Sequence, residues 1–206
     1  MEISAKLRTR QGRQRNSKVD KEDRLIVLRE ANRILEQEGV KALSLRKLSN
    51  ELGTSYQLIY TLFGGKSGLL DALLRAGFQA LERQCRLVSR NGNSVEHVVE
   101  VVMAYRAFAL ANPKLYSLMF DRHVGFTPTA ESQKIARACF MALYEPVEIA
   151  CEGKKTQFLN AHDLSFAIWG AVHGQVGFEL TSWFGAEKNS AVRLRKSVAA
   201  LFSDHQ

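Results

Sequence analysis

With three cysteines, three prolines and five histidines in 206 residues, the chain has little of what staples, kinks or ligates. Cys85, Cys139 and Cys151 are odd in number and form no C-x-x-C pair, which argues against a disulfide framework and a structural zinc site and predicts reduced, buried thiols. The histidines, His97, His123, His162, His173 and His205, are scattered without an H-x-x-x-H pair. His162 beside Asp163 could ligate a metal, but the pair fits better at a helix start, where an acidic side chain favours the first turn. No metal and no cofactor is expected. The chain also lacks a G-x-S-x-G elbow, a phosphate-binding loop and a dinucleotide glycine fingerprint, so it is not expected to be an enzyme. No apolar run approaches the length of a membrane span, and the N-terminus, with Lys6, Arg8, Arg10, Arg13 and Arg15, lacks the apolar core of a secretion signal. A cytoplasmic protein with no membrane attachment is expected.

What is present is a globular composition, 46% hydrophobic and 24% charged, with no strand-like alternation between turns. An all-α fold follows. The charge is unevenly placed. Residues 1–68 hold 14 Lys and Arg against 8 Asp and Glu, a net of +6, whereas residues 69–206 hold 15 against 13. A polyanion gains from such a patch through counterion release, and the near-neutral remainder gives it no reason to wrap further. Residues 1–19 read as a basic arm, disordered in isolation, with either a solubilising or a DNA-contacting role.

Within the basic third lies the most informative stretch, Ser44 to Lys66. Two short amphipathic segments meet at Gly53, which can take the positive φ that ends the first, while Thr54 or Ser55 can cap the second. At roughly 100° per residue, Leu58, Ile59, Leu62 and Phe63 share one arc and Tyr56, Gln57, Tyr60 and Thr61 the other. A preceding helix from Asp20 to Gly39, with Leu25, Leu28, Ala31 and Leu35 along one stripe, completes a three-helix unit. An ordinary helical hairpin with a solvated polar arc is the alternative; position and charge favour a helix-turn-helix that reads the major groove of double-stranded DNA. Candidate DNA contacts are Ser44, Arg46, Ser55, Tyr56, Gln57, Tyr60, Thr61 and Lys66.

Residues 24–70 resemble the N-terminal domain of the TetR family of bacterial one-component regulators. The family's Thr or Ser opening helix 2, its Gly closing it and its Tyr-x-x-Phe ending helix 3 correspond to Ser44, Gly53, Tyr60 and Phe63, followed by Lys66 and Leu69-Leu70. Departures fall at Ser49, Leu58 and Leu62. A weaker resemblance, to a subgroup marked by Trp-x-x-x-His-Gly, rests on Trp169, His173 and Gly174 and on the run Asn112 to Phe120.

Beyond Ser67 the pattern is helical throughout. One helix runs to about Ser89 and is closed by Asn91-Gly92; Ser94 caps the next, which Pro113 ends. Pro113 opens a short turn, Thr127-Pro128 starts a helix through Cys151 that Pro146 should kink, and Glu187 to Phe202 forms the last helix. From Asn160 to Phe184, the small residues Ala167, Gly170, Ala171, Gly174, Gly177 and Thr181 share a face beside Phe166, Trp169, His173, Val176 and Leu180. Interior glycines cost helix stability, which close approach of another helix offsets, so this face is the candidate homodimer interface, with an intrachain contact as the alternative. Aromatic and Met side chains are abundant here: Phe78, Met103, Phe108, Tyr116, Met119, Phe120, Phe140, Tyr144 and Trp169, with His173 as a pocket or core residue. They are mainly core, yet so aromatic a helical domain can leave a cavity, and the TetR resemblance implies a small-molecule effector there.

The domains read as 1–19 arm, 20–66 helix-turn-helix and 67–206 effector-binding and dimerisation domain. The expected function is a ligand-responsive repressor of a palindromic operator. An architectural or activating factor without effector, or an all-α enzyme or binding module, is the alternative.

Overall fold

A computed structural model describes residues 17–120, 126–153, 160–181 and 189–203. Among these the chain forms nine helices and no strand: α1 Ser17–Glu38, α2 Leu45–Glu51, α3 Tyr56–Phe63, α4 Lys66–Arg86, α5 Ser94–Ala111, α6 Pro113–Phe120, α7 Ala130–Cys151, α8 Ala161–Thr181 and α9 Ser190–Ala200. Residues 1–16 of the expected arm lie outside the described residues, and its last three, 17–19, open α1. The chain packs as two units, one from Met1–Gly77 with Lys114–Gln133, the other from Phe78–Pro113 with Lys134–Gln206. The division therefore falls inside α4.

In the first unit, α1, α2 and α3 pack on one another. The buried stripe of α1 is Val27, Ala31, Ile34 and Leu35. Leu25, expected inward, is 57% exposed. Both stripes share Ala31 and Leu35 at helical spacing, and the heavier arc of Val27 and Ile34 takes the core. The first turn of α6 docks on α1: the Glu36 carboxylate accepts from the backbone N–H of Lys114 at 3.2 Å and of Leu115 at 2.7 Å. Lys114 Nζ donates to the Gln37 carbonyl at 2.9 Å. Gly77 lets α6 lie close to α4, because a Cβ there would fall 2.7 Å from Met119 Sδ. The expected turn after Pro113 is thus a helix of eight residues.

The start of α7 is held by Asp71 of α4. Its carboxylate accepts from the Thr129 amide and hydroxyl, both at 3.1 Å, and from Ser132 Oγ at 2.6 Å. Arg75 donates to it at 2.7 Å. Burial works to raise the pKa of Asp71, yet these bonds and the Arg75 charge leave it below the ordinary carboxylate value. The helix cap is Thr129, whose Oγ1 accepts from the Ser132 amide at 3.3 Å, rather than Thr127 with Pro128 at the first position. α7 runs on past Pro146, which has no N–H to donate to the Ala142 carbonyl.

In the second unit, α5 packs on α8, and α9 packs on both. Val98, Val101, Val102, Phe108 and Ala109 of α5 meet a core that includes Leu164, Ile168, Val172 and Val176 of α8. The cap of α5 is Asn93, accepting from the Glu96 amide at 2.9 Å, one residue before the expected Ser94. Asn160 caps α8 through the Asp163 amide at 2.9 Å. Long pairs hold the unit together: Arg106 with Glu179 and with Ser190 at 3.1 Å, Arg86 with Glu145 at 2.8 Å, and Arg195 with Glu100 at 2.5 Å. Cys85, Cys139 and Cys151 stand outside any disulfide; Cys85 is buried as expected while the other two are half-buried, and burial pushes the Cys85 and Cys139 thiols up to about 12.

Candidate nucleic-acid interface and regulatory unit

The corner between α2 and α3 is built by local bonds. Ser44 caps α2 by accepting from the Lys47 amide at 3.1 Å, and Ser55 caps α3 by accepting from the Leu58 amide at 3.1 Å. Of the two possible caps of α3, Ser55 serves; Thr54 keeps a buried hydroxyl without a partner among the described residues. Gly53, at φ +58, makes the turn that a side chain would strain. Ser49, a departure from the family pattern, is buried and donates to the Arg46 carbonyl at 2.8 Å.

The two arcs of α3 separate cleanly. Ile59, Leu62 and Phe63 are buried, and Leu58 is half-buried. The Arg24 guanidinium of α1 lies over the Phe63 ring at 5.3 Å, a cation–π contact that adds to the docking of α3. On the other arc Gln57 and Thr61 are exposed, Tyr56 is 50% and Tyr60 46% exposed, and the two tyrosine rings stack at 6.2 Å. The Thr61 hydroxyl donates to the Gln57 carbonyl at 2.7 Å, which leaves its methyl as the group facing out. Arg46 is exposed on α2, and Lys66 is exposed at the first position of α4 with Nζ 3.4 Å from the Val40 carbonyl.

The residues expected to receive an effector divide between the units. Tyr116, Met119 and Phe120 belong to the first, where Tyr116 and Met119 are buried and the Tyr116 and Phe120 rings touch at 4.8 Å. Phe78, Met103, Phe108, Phe140, Tyr144, Trp169 and His173 belong to the second. Phe78 and Phe108 are buried core, and Met103 is half-buried. Phe140 and Trp169 form a cluster with Phe166 at 4.9 to 5.8 Å, flanked by His162, and Trp169 Nε1 donates to the Tyr105 hydroxyl at 3.2 Å. Tyr144 donates to Glu148 at 2.6 Å. His173 is half-buried beside Trp169, and burial lowers its pKa.

On α8 the small face is open. Gly170, Gly174, Gly177 and Thr181 are exposed, Ala167 and Ala171 half-buried, and a Cβ on any of the three glycines meets nothing within 4 Å among the described residues. Among the described residues no intrachain neighbour covers these glycines. Phe166 and Phe178 are also exposed on α8, at 46% and 58%, so the expected burial of two sides is reduced to one within the single chain. Sequence reasoning missed Glu36, Asp71 and Arg106, whose roles depend on partners distant in the chain. Among the described residues no group of three or more His, Cys, Asp or Glu is placed to hold a metal, and no helix is long and apolar enough to cross a membrane.

A three-helix unit with a capped, outward-facing third helix, joined by one long helix to an all-α second unit, defines a helix-turn-helix regulator. Two family descriptions match: "Bacterial regulatory proteins, tetR family" over residues 27–73 and "Tetracyclin repressor-like, C-terminal domain" over residues 98–201. The chain belongs to the TetR family. None of the curated proteins compared with it matches this chain. Solved structures share its fold. A protein of unknown function from Rhodococcus sp. RHA1 is 22% identical over 94% of this chain and 100% of its own, with a TM-score of 0.77. The TetR family transcriptional regulator PfmR from Thermus thermophilus is 15% identical over 85% and 96%, with a TM-score of 0.64. AmtR of Mycobacterium smegmatis is 15% identical over 96% and 90%, with a TM-score of 0.59.

Proposed function

We propose that the protein is a ligand-responsive repressor, of the subgroup marked by Trp169, His173 and Gly174, that binds a palindromic operator as a homodimer. The observation that carries this reading is α3, whose buried arc is docked while Tyr56, Gln57, Tyr60 and Thr61 face outward. Gln57 pairs bidentately with adenine, and the two tyrosines and the Thr61 methyl reach thymine methyls, sugars or phosphates. Arg46 and Lys66, with the capped helix starts at Ser44 and Ser55, take phosphates. The open small face of α8, with α9 beside it, pairs with its twofold copy as a four-helix interface.

The effector is a small, mostly apolar molecule received by the aromatic residues of the second unit, and the exposed rings around Trp169 support this. The response passes along α4, which runs through both units, and through Tyr116, Met119 and Phe120 of α6, which Glu36 fixes to α1. To weaken operator binding 100-fold, the effector must favour the DNA-incompetent arrangement by about 2.7 kcal/mol. A Met103→Trp change fills the space it uses and mimics or blocks it.

The test begins with an operator selected from a random duplex pool. In anisotropy titrations Gln57→Ala costs ~1–3 kcal/mol and relaxes the preference at one base pair, whereas Lys66→Ala weakens all duplexes alike. Equal loss on operator and scrambled duplex for Gln57→Ala removes it from the specificity set. Failure of every apolar compound in a broad screen to release the operator or shift the melting temperature defeats the effector reading.

A further inference from the structure

The outward arc of α3 is informative in what it lacks. None of the eight residues of α3 is charged, and the four that are exposed are Tyr56, Gln57, Tyr60 and Thr61. In the major groove guanine is read chiefly by Arg or Lys, bidentate to O6 and N7, and cytosine by a carboxylate on its N4 amine. α3 carries neither. The exposed cations beside it stand on other segments, Lys41 ahead of α2, Arg46 on α2 and Lys66 opening α4. There they suit phosphates, contacts that position a protein on the duplex without reading its sequence. A guanine contact, where the operator has one, falls to Arg46 of α2 and not to α3.

The side chains that remain form two pairs four residues apart, each tied internally. Tyr56 and Tyr60 stack with ring centroids 6.2 Å apart and planes at 24°. The Thr61 hydroxyl donates to the Gln57 backbone carbonyl at 2.7 Å. Its one proton is thereby committed, so it has none for O6 or N7 of guanine, which present only acceptors in the groove. The Thr61 methyl is left to make the outward contact. The Gln57 amide, with a donor and an acceptor side by side, matches N6 and N7 of adenine. Four residues of helix rise about 6 Å, less than two base-pair steps of about 3.4 Å. Gln57 and Thr61 therefore reach neighbouring pairs.

We propose that α3 is a thymine-methyl reader. Each half-site holds an adenine met by the Gln57 amide and, within two base pairs of it, a thymine whose C5 methyl packs on the Thr61 methyl beside the stacked tyrosines. No G·C pair is read by α3. This assignment rests on the operator reading above and adds to it the base class and the atom that is read.

The test uses the full chain and the operator selected from the random pool. Each thymine is changed in turn to uracil, which deletes the C5 methyl and keeps every hydrogen-bonding atom. In anisotropy titrations one thymine per half-site, within two pairs of the position that Gln57→Ala relaxes, loses about fourfold on this change, the worth of one buried methyl group. Thr61→Ser keeps the hydroxyl and removes the methyl, and it abolishes the difference between thymine and uracil there. Thr61→Val keeps the methyl, removes the hydroxyl and preserves the difference. Position 61 is exposed, and the uracil scan on the unaltered protein needs no variant to fold. Three results overturn the proposal while leaving sequence-specific binding in place: a G·C pair at the position that Gln57→Ala relaxes, uracil accepted at every thymine without loss, or a thymine preference that survives Thr61→Ser. A protein that enriches no duplex from the pool overturns the operator reading as well.

Discussion

The caps and turn of α2 and α3 are shaped by bonds that reach three or four residues along the chain, whereas the second unit is tied by pairs between residues far apart in it. Ser44 to Lys47, Ser55 to Leu58 and Gln57 to Thr61 are all within one helical turn. Glu145 with Arg86, Glu179 with Arg106 and Glu100 with Arg195 are 59, 73 and 95 residues apart. A recognition helix must present one fixed face, and local caps specify that face wherever the unit is placed. If the second unit answers a ligand as proposed, these long polar pairs between its helices are the contacts a second arrangement would have to break and re-form. Asp71 and Glu36 stand between these cases, since they tie α7 and α6 into the first unit by long bonds.

The largest effect that would break this comparison lies on α8. A Cβ at Gly174 meets nothing within 4 Å among the described residues, so Gly174→Leu is expected to overpack the proposed partner. Light scattering should find monomers, helical content should be unchanged, and operator binding should fall at least ~100-fold, about 2.7 kcal/mol. An intact dimer would move the interface elsewhere. Next is Asp71→Asn, which leaves the bonds to Thr129, Ser132 and Arg75 incomplete and should cost ~1–3 kcal/mol in denaturant melts at neutral pH. Because the folded pKa of Asp71 lies below its ordinary 3.8, its contribution is present above that value and is lost as pH falls through the folded one. The gap between wild type and variant should therefore close in acid; a gap that persists at the lowest pH would assign the loss to packing.

Ser55→Ala removes one cap and should cost ~1 kcal/mol, with operator affinity reduced further than stability alone requires. Smallest is Glu100→Gln, at a pair whose side chains are about two-fifths exposed, 41% and 42%. Solvent screening limits its effect to a few tenths of a kcal/mol (~0.2–1 at most), and added salt should erase it. A large loss there would mean that even the exposed pairs of the second unit carry its stability.

Legibility in the sequence follows the same division. Ser44, Gly53 and the inward and outward arcs of α3 could be read because cap chemistry and helical period are local. Asn93 and Ser94 are both good caps side by side, and only backbone geometry chooses between them. Thr129 displaces Thr127 and Pro128 because Asp71, 58 residues earlier, takes its amide and hydroxyl. Leu25 and Val27 lie on overlapping stripes, and the packing of α2 and α3 decides which is inward. The glycines of α8 were legible as sharing one face, but their exposure in the single chain was not, since a sequence does not distinguish an intrachain neighbour from none.

Those three glycines also set where a single chain, parted from its twofold copy, should loosen first. Each lowers the local helical stability of α8 by about 1 kcal/mol relative to alanine, on a face where a Cβ would meet nothing within 4 Å among the described residues. In that monomer, amide protons along Gly170, Gly174 and Gly177 should exchange with solvent by local opening before those of α5, whose core valines and Phe108 are covered, and in the dimer the difference should shrink. A deuterium pulse on the monomeric Gly174→Leu variant and on the wild-type dimer should therefore differ most along α8.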